Sequence, residues 1–169
     1  MDKLIVITGP ESTGKSTLTN ALSEEYSTSF VKEYARQYLE NLNRLYELED
    51  VLVMAKEQLK QEEESLEELV FLDTDLTVYA IWIKEKYNLE IGWINDHLSK
   101  ATDKIYFLCD LDVQWEEDPL REHPEKADRQ RLFMMYKALL EKYNLTCHVI
   151  SGDLPTRIKK CKEIIATSI

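Results

Sequence analysis

Glycine and proline are scarce, four of each in 169 residues, which leaves no room for a flexible linker between two domains. Cysteine is scarcer still: Cys109, Cys147 and Cys161 are odd in number, lie far apart and form no C-x-x-C pair. A disulfide framework and a thiolate zinc site are therefore not expected; a reducing cytoplasm is, and the three cysteines read as small core hydrophobes. No apolar run approaches the ~20 residues that cross a bilayer. The aliphatic run after Met1-Asp2-Lys3 is only Leu4 to Ile7, too short for a secretory signal. Basic residues are in deficit, 21 against 32 acidic, for a net charge of −11. Such a surface repels phosphate backbones and anionic headgroups, so neither nucleic acid nor membrane is an expected partner. A local basic pocket for a small anion remains compatible with it. His97, His123 and His148 have no metal-ligand spacing.

What is present is an alternation of short apolar runs with longer helical patterns, which predicts an α/β fold: a parallel sheet with helices on both faces. Leu4-Ile5-Val6-Ile7 reads as a strand buried on both sides, and a helix follows from Lys15 to about Tyr26. Further strands are expected at 29–32, 69–72, 104–109 and 147–150, the last placing His148 in the core. Two helices are expected between 34 and 68, with an apolar stripe through Leu48, Val51, Leu52, Ala55, Leu59 and Leu66. Others fall at 76–88, 91–101, 127–143 and 155–166. Nine acidic residues between Glu47 and Glu68, against Lys56 and Lys60, read as a solvated helix face.

Directly after the first strand comes Gly9-Pro10-Glu11-Ser12-Thr13-Gly14-Lys15-Ser16, a match to G-x-x-x-x-G-K-[ST] at every fixed position. Glycines let the backbone wrap so that successive N–H groups face phosphate oxygens, and the helix N-terminus that follows attracts an anion. Lys15 would reach the β- and γ-phosphates of ATP, and the Ser16 hydroxyl would ligate Mg²⁺. The third strand ends in Asp73-Thr74-Asp75, where a carboxylate at the strand's carboxyl end is placed to hold that metal through water. Glu33 and Arg36 follow the second strand, so Glu33 is placed to accept a proton from a substrate hydroxyl. The polar, proline-broken stretch 112–131 carries Trp115, Asp118, Arg121, Arg129 and Arg131. It reads as a mobile cover whose arginines lie in water when open and meet transferring phosphate when closed.

Taken together, Gly9 to Thr17, Glu33-Tyr34-Ala35-Arg36, Phe71-Leu72-Asp73-Thr74-Asp75 and Trp115-Glu116-Glu117-Asp118-Pro119-Leu120-Arg121 resemble a known family. It is the nicotinamide riboside kinase domain of the bacterial NadR-type NAD-metabolism proteins, with the motifs in the same order from about residue 4 to 165. The resemblance implies one P-loop kinase domain over residues 1–169, a five-stranded parallel sheet in the order 2-3-1-4-5, and transfer of a phosphoryl group from Mg·ATP to the 5′-hydroxyl of nicotinamide riboside. Larger relatives carry upstream adenylyltransferase and DNA-binding domains, and neither is expected here. Gly9, Glu11, Ser12, Thr13, Gly14, Lys15, Ser16 and Thr17 would bind the nucleotide, with Ser16 and Asp73 on the metal. Glu33 is the first choice of base and Asp73 the second; Glu33, Arg36 and Asp75 would touch the riboside, Asp75 at the ribose hydroxyls. Lys15, Arg121 and Arg129 would stabilise the transition state. Another small-molecule kinase or a nucleotide-switched ATPase stays open, and a homo-oligomer is compatible with the chain.

Overall fold

A computed structural model describes residues 3–168; Met1 and Asp2, at the head of the short start considered above, and Ile169 lie outside it. The β-branched run at the start becomes β1 (Lys3–Thr8), the middle strand of five. β2 (Phe30–Val31), β3 (Leu69–Asp73), β4 (Ile105–Cys109) and β5 (Thr146–Ile150) complete an all-parallel sheet in the order β2-β3-β1-β4-β5, as expected. Parallel pairing puts every strand's carboxyl end on one edge. There Ile7 lies opposite Asp73, and Thr8 opposite Leu108.

Alternation along β1 divides the core. Ile5 and Ile7 face α1 (Lys15–Tyr26) and α7 (Leu154–Ser168), packing with Leu18, Leu22, Phe107, Cys161 and Ile165. Val6 faces the other way, against Tyr106 and against Leu140 of α6 (Lys126–Lys142). A separate cluster joins α2 (Tyr34–Glu40), α3 (Leu48–Glu63), α4 (Leu76–Tyr87) and α5 (Gly92–Leu98) around Met54, Tyr79 and Ile94. Each fully buried aliphatic side chain here contributes about 1.5–3 kcal/mol. Among the described residues no helix is long and apolar enough to cross a membrane.

Several expectations need correction. β2 is shorter than 29–32, because it is an edge strand that pairs with β3 over only Phe30 and Val31. Leu66 does not continue the stripe of α3; the helix stops at Glu63, and Leu66 is 91% exposed in the turn before β3. His148 and Cys147 are half-buried rather than core, because β5 is the opposite edge of the sheet. The acidic face of α3 is solvated except at Asp50 and Glu62, both buried. Asp50 accepts from both Arg44 guanidinium tips, from the Tyr38 hydroxyl and from the Glu47 N–H. Those bonds hold its carboxyl well below the usual range.

Candidate active site

The strand ends open on a cleft of about 540 Å³. One wall is the loop from Gly9 to Thr17. Gly9 adopts φ 135°, and a Cβ there would meet the Cys109 carbonyl at 3.1 Å, so only glycine lets the loop pass this close to β4. Gly14, at φ 80°, caps α1, and its carbonyl accepts from Leu18 N–H at 2.9 Å. The Thr13 hydroxyl and the Lys15 ammonium each donate to the Pro10 carbonyl at 2.8 Å, closing the loop on itself. The N-terminus of α1 and Lys15 thus border the same part of the cleft, an arrangement that suits an anion.

Glu33, at the exit of β2, lines the cleft. Burial pushes its carboxyl above the usual range; Asp73 adds to this, while Lys15 and Arg36 pull the other way. Asp73 lies buried just behind. Burial raises its carboxyl too, against a Ser16 hydroxyl hydrogen bond and the charges of Lys15 and Arg36. Its Oδ1 is buried without a hydrogen-bond partner in the structure. A carboxylate oxygen free beside an exposed serine hydroxyl suits a Mg²⁺ that keeps most of its waters and arrives on a nucleotide.

Asp75 is not where the resemblance put it. Strand alternation would place residues 73 and 75 on one side. Thr74, however, takes φ 75°, a left-handed conformation costly for a β-branched residue, while its N–H stays bonded to the Ile7 carbonyl at 3.0 Å. The reversal turns Asp75 away from the cleft into full burial. There it caps α4 through the Thr77 N–H (2.9 Å) and hydroxyl (2.7 Å), and accepts from Tyr106 Oη at 2.9 Å. Lys104 Nζ, only 3% exposed, sits 3.3 Å from Asp75 and 2.6 Å from Glu62. Asp75 is therefore a buried helix cap, not a ribose contact.

The stretch 112–131 lies against the phosphate loop and is held there by it. The Glu11 carboxylate accepts from the Glu122 N–H (3.1 Å) and the His123 N–H (2.9 Å), and the Ser12 hydroxyl accepts from the Glu116 N–H at 3.0 Å. The side chains of Glu11 and Ser12 thus grip this stretch. Arg36 pairs with Asp118 at 3.0 Å, joining two motifs that are separate in the chain. Arg121 lines the cleft, its guanidinium bonded to the Glu116 carbonyl at 2.5 Å. Arg129 is not among the residues that line the cleft: it is 7% exposed and stacks on Trp115 at 5.1 Å, with Nε and Nη1 unpartnered. Arg131 is held by Glu85 through both guanidinium tips.

One wall of the cleft was not anticipated from sequence. Tyr46 Oη accepts from Trp82 Nε1 (2.9 Å) and Lys86 Nζ (2.6 Å) and donates to the Glu122 carboxylate at 2.7 Å. Burial, with Glu122 beside it, raises the Tyr46 phenol well above its usual range. Val78, Trp82, Glu85 and Lys86 all line the cleft from one face of α4. The available signal was that pattern, polar and aromatic residues spaced three and four apart on an otherwise apolar helix.

Residues 4–157, most of the chain, match the AAA domain family. The chain belongs to the AAA domain family. This AAA domain is 23% identical, over 96% of its length, to the trifunctional NAD biosynthesis/regulator protein NadR of Salmonella typhimurium, and equally to that of Escherichia coli. It spans 42% of either relative. A crystal structure of a NadR protein in complex with NR superposes with a TM-score of 0.81 at 21% identity, over 99% of this chain and 51% of that one. Thymidylate kinase from Ehrlichia chaffeensis gives 0.70 at 15% identity, over 97% of this chain and 98% of its own. Deoxyadenosine kinase from M. mycoides gives 0.65 at 19%, over 97% and 99%. The architecture is that of the P-loop kinases.

Proposed function

We propose that this AAA domain is an ATP-dependent kinase that phosphorylates the 5′-hydroxyl of nicotinamide riboside to give nicotinamide mononucleotide. The observation that carries the reading is one cleft lined together by a phosphate loop, by Glu33 and by the aromatic, hydrogen-bonding wall of Tyr46 and Trp82. The likeness to the NadR–NR complex supports the choice of acceptor.

Mg·ATP enters as a substrate, its phosphates on the N–H groups of residues 11–16 and on Lys15. Ser16 and Asp73 would hold the metal, which when bound would supply neutralisation of the phosphate charge. Glu33 accepts the proton of the attacking hydroxyl; its raised affinity for protons suits a general base better than an ordinary carboxylate does. Asp73, buried against Ser16, is the weaker candidate for that role. Arg121 meets the transferring charge in a site from which the cover excludes water. Arg129 acts through Trp115, holding the cover's shape. Arg36 orients Asp118 on the cover and borders the acceptor.

ADP release with a panel of acceptors tests the proposal. Nicotinamide riboside should give the highest kcat/KM, above deoxyadenosine and thymidylate. A better deoxynucleoside would overturn the acceptor and leave the kinase; slow hydrolysis that no acceptor stimulates would replace the kinase by a nucleotide-switched ATPase.

A further inference from the structure

Arg157, in the first turns of α7, is 2% exposed and remote in sequence from every motif above. Its guanidinium nevertheless lies against the phosphate loop: a Cβ on Gly14 would sit 3.6 Å from Nη1. Nη1 donates to the Thr13 carbonyl at 2.6 Å, and Nε to the Gly152 carbonyl at 2.9 Å. Nη2 donates to the Asp110 carbonyl at 3.2 Å and to the Asp112 carboxylate, which also accepts from the Gly152 N–H. Three segments meet on one side chain: the loop, the root of the cover after β4, and the turn between β5 and α7.

The consequence follows from peptide geometry. A trans peptide points its C=O and N–H in opposite directions. Holding the Thr13 carbonyl behind the loop therefore aims the Gly14 N–H forward, into the cradle. We infer that Arg157 is a positioning residue for nucleotide binding, fixing the phosphate loop and the root of the cover in one frame. The inference rests on reading the cleft as a Mg·ATP site. A planar guanidinium is needed, because its donors fork toward separate acceptors, whereas an ammonium offers one nitrogen on a flexible stem.

The test compares Arg157→Lys and Arg157→Met with the wild type. The readouts are kcat/KM for ATP, ATP and acceptor affinity by calorimetry, and hydrogen exchange of the loop amides. Arg157→Lys should fold, lose kcat/KM for ATP on the order of 10²-fold as the loop loses its aim, and keep its acceptor affinity. Exchange at Gly14 and Lys15 should quicken, and Arg157→Met should show larger changes in the same direction. Wild-type ATP kinetics and loop exchange in Arg157→Lys would overturn the inference. So would a parallel loss of ATP and acceptor affinity with a lowered melt, the mark of an ordinary structural residue. If Arg157→Met does not fold, the Lys variant decides alone. If the wild type phosphorylates no acceptor, the kinase reading fails, while ATP affinity and exchange still report on Arg157.

Discussion

Replacing Lys104 by Met removes the cation that lies 2.6 Å from Glu62 and 3.3 Å from Asp75 and leaves both carboxylates buried. Breaking a buried pair by deleting one partner costs about 3–5 kcal/mol, chiefly the penalty of the charge left behind. For a domain of this size that corresponds to a fall in Tm of roughly 6–20 °C. Asp75 keeps the Thr77 and Tyr106 hydrogen bonds, so the larger share of the cost falls on Glu62. Burial pushes the Glu62 carboxyl up to about 7 even with Lys104 pulling it down, and without Lys104 it goes higher. A carboxyl whose folded pKa exceeds its unfolded value of about 4.3 favours the folded state most when protonated. Its contribution is therefore lost as pH rises through the folded value and regained on acidification. The assay is thermal melting of wild type, Lys104→Met and Lys104→Met/Glu62→Gln at about pH 8 and about pH 6. The single variant's deficit should shrink at the lower pH, and the double variant should recover most of it at both. A Lys104→Met protein melting within about a degree of wild type, or one whose deficit widens on acidification, would refute the reasoning.

Lys15→Ala should abolish ADP release while leaving the melt near wild type, because the charge at the β- and γ-phosphates goes and the sheet does not change. Glu33→Gln should lower kcat by about 10²–10⁴-fold with Mg·ATP affinity nearly intact. Because a base must be deprotonated to act, the wild-type rate should fall as pH drops through a carboxyl value above the ordinary range, and Glu33→Gln should lose that limb. Asp73→Asn should instead weaken the Mg²⁺ dependence; swapped results would move the base to Asp73. Arg129→Ala should lower the melt of the ligand-free protein by exposing the Trp115 face, whereas Arg121→Ala should leave the melt alone and lower kcat. Equal melts for both variants would return Arg129 to the phosphate-facing role the sequence suggested.

Local rules made the framework legible. Four consecutive aliphatic residues before Gly9, a glycine-rich turn and a lysine at a helix start specify strand, loop and anion cradle within fifteen residues, because each depends only on neighbours in the chain. The positions of Glu33 and Asp73 were equally readable, since residues that end parallel strands share one edge of the sheet. Asp75 could not be placed from the resemblance alone, because only the left-handed Thr74 reveals that the chain turns it away from the cleft after the strand ends at Asp73. Arg129, Arg157, Tyr46 and Lys104 were beyond local inference for a different reason. Each acts through a partner well outside its own element, and whether an arginine lies in water or is buried against Trp115 or the Thr13 carbonyl depends on which segments pack together. The chain's local chemistry determined the strand, loop and helix start that frame the cleft; tertiary packing decided which charges face the cleft and which hold its walls in place.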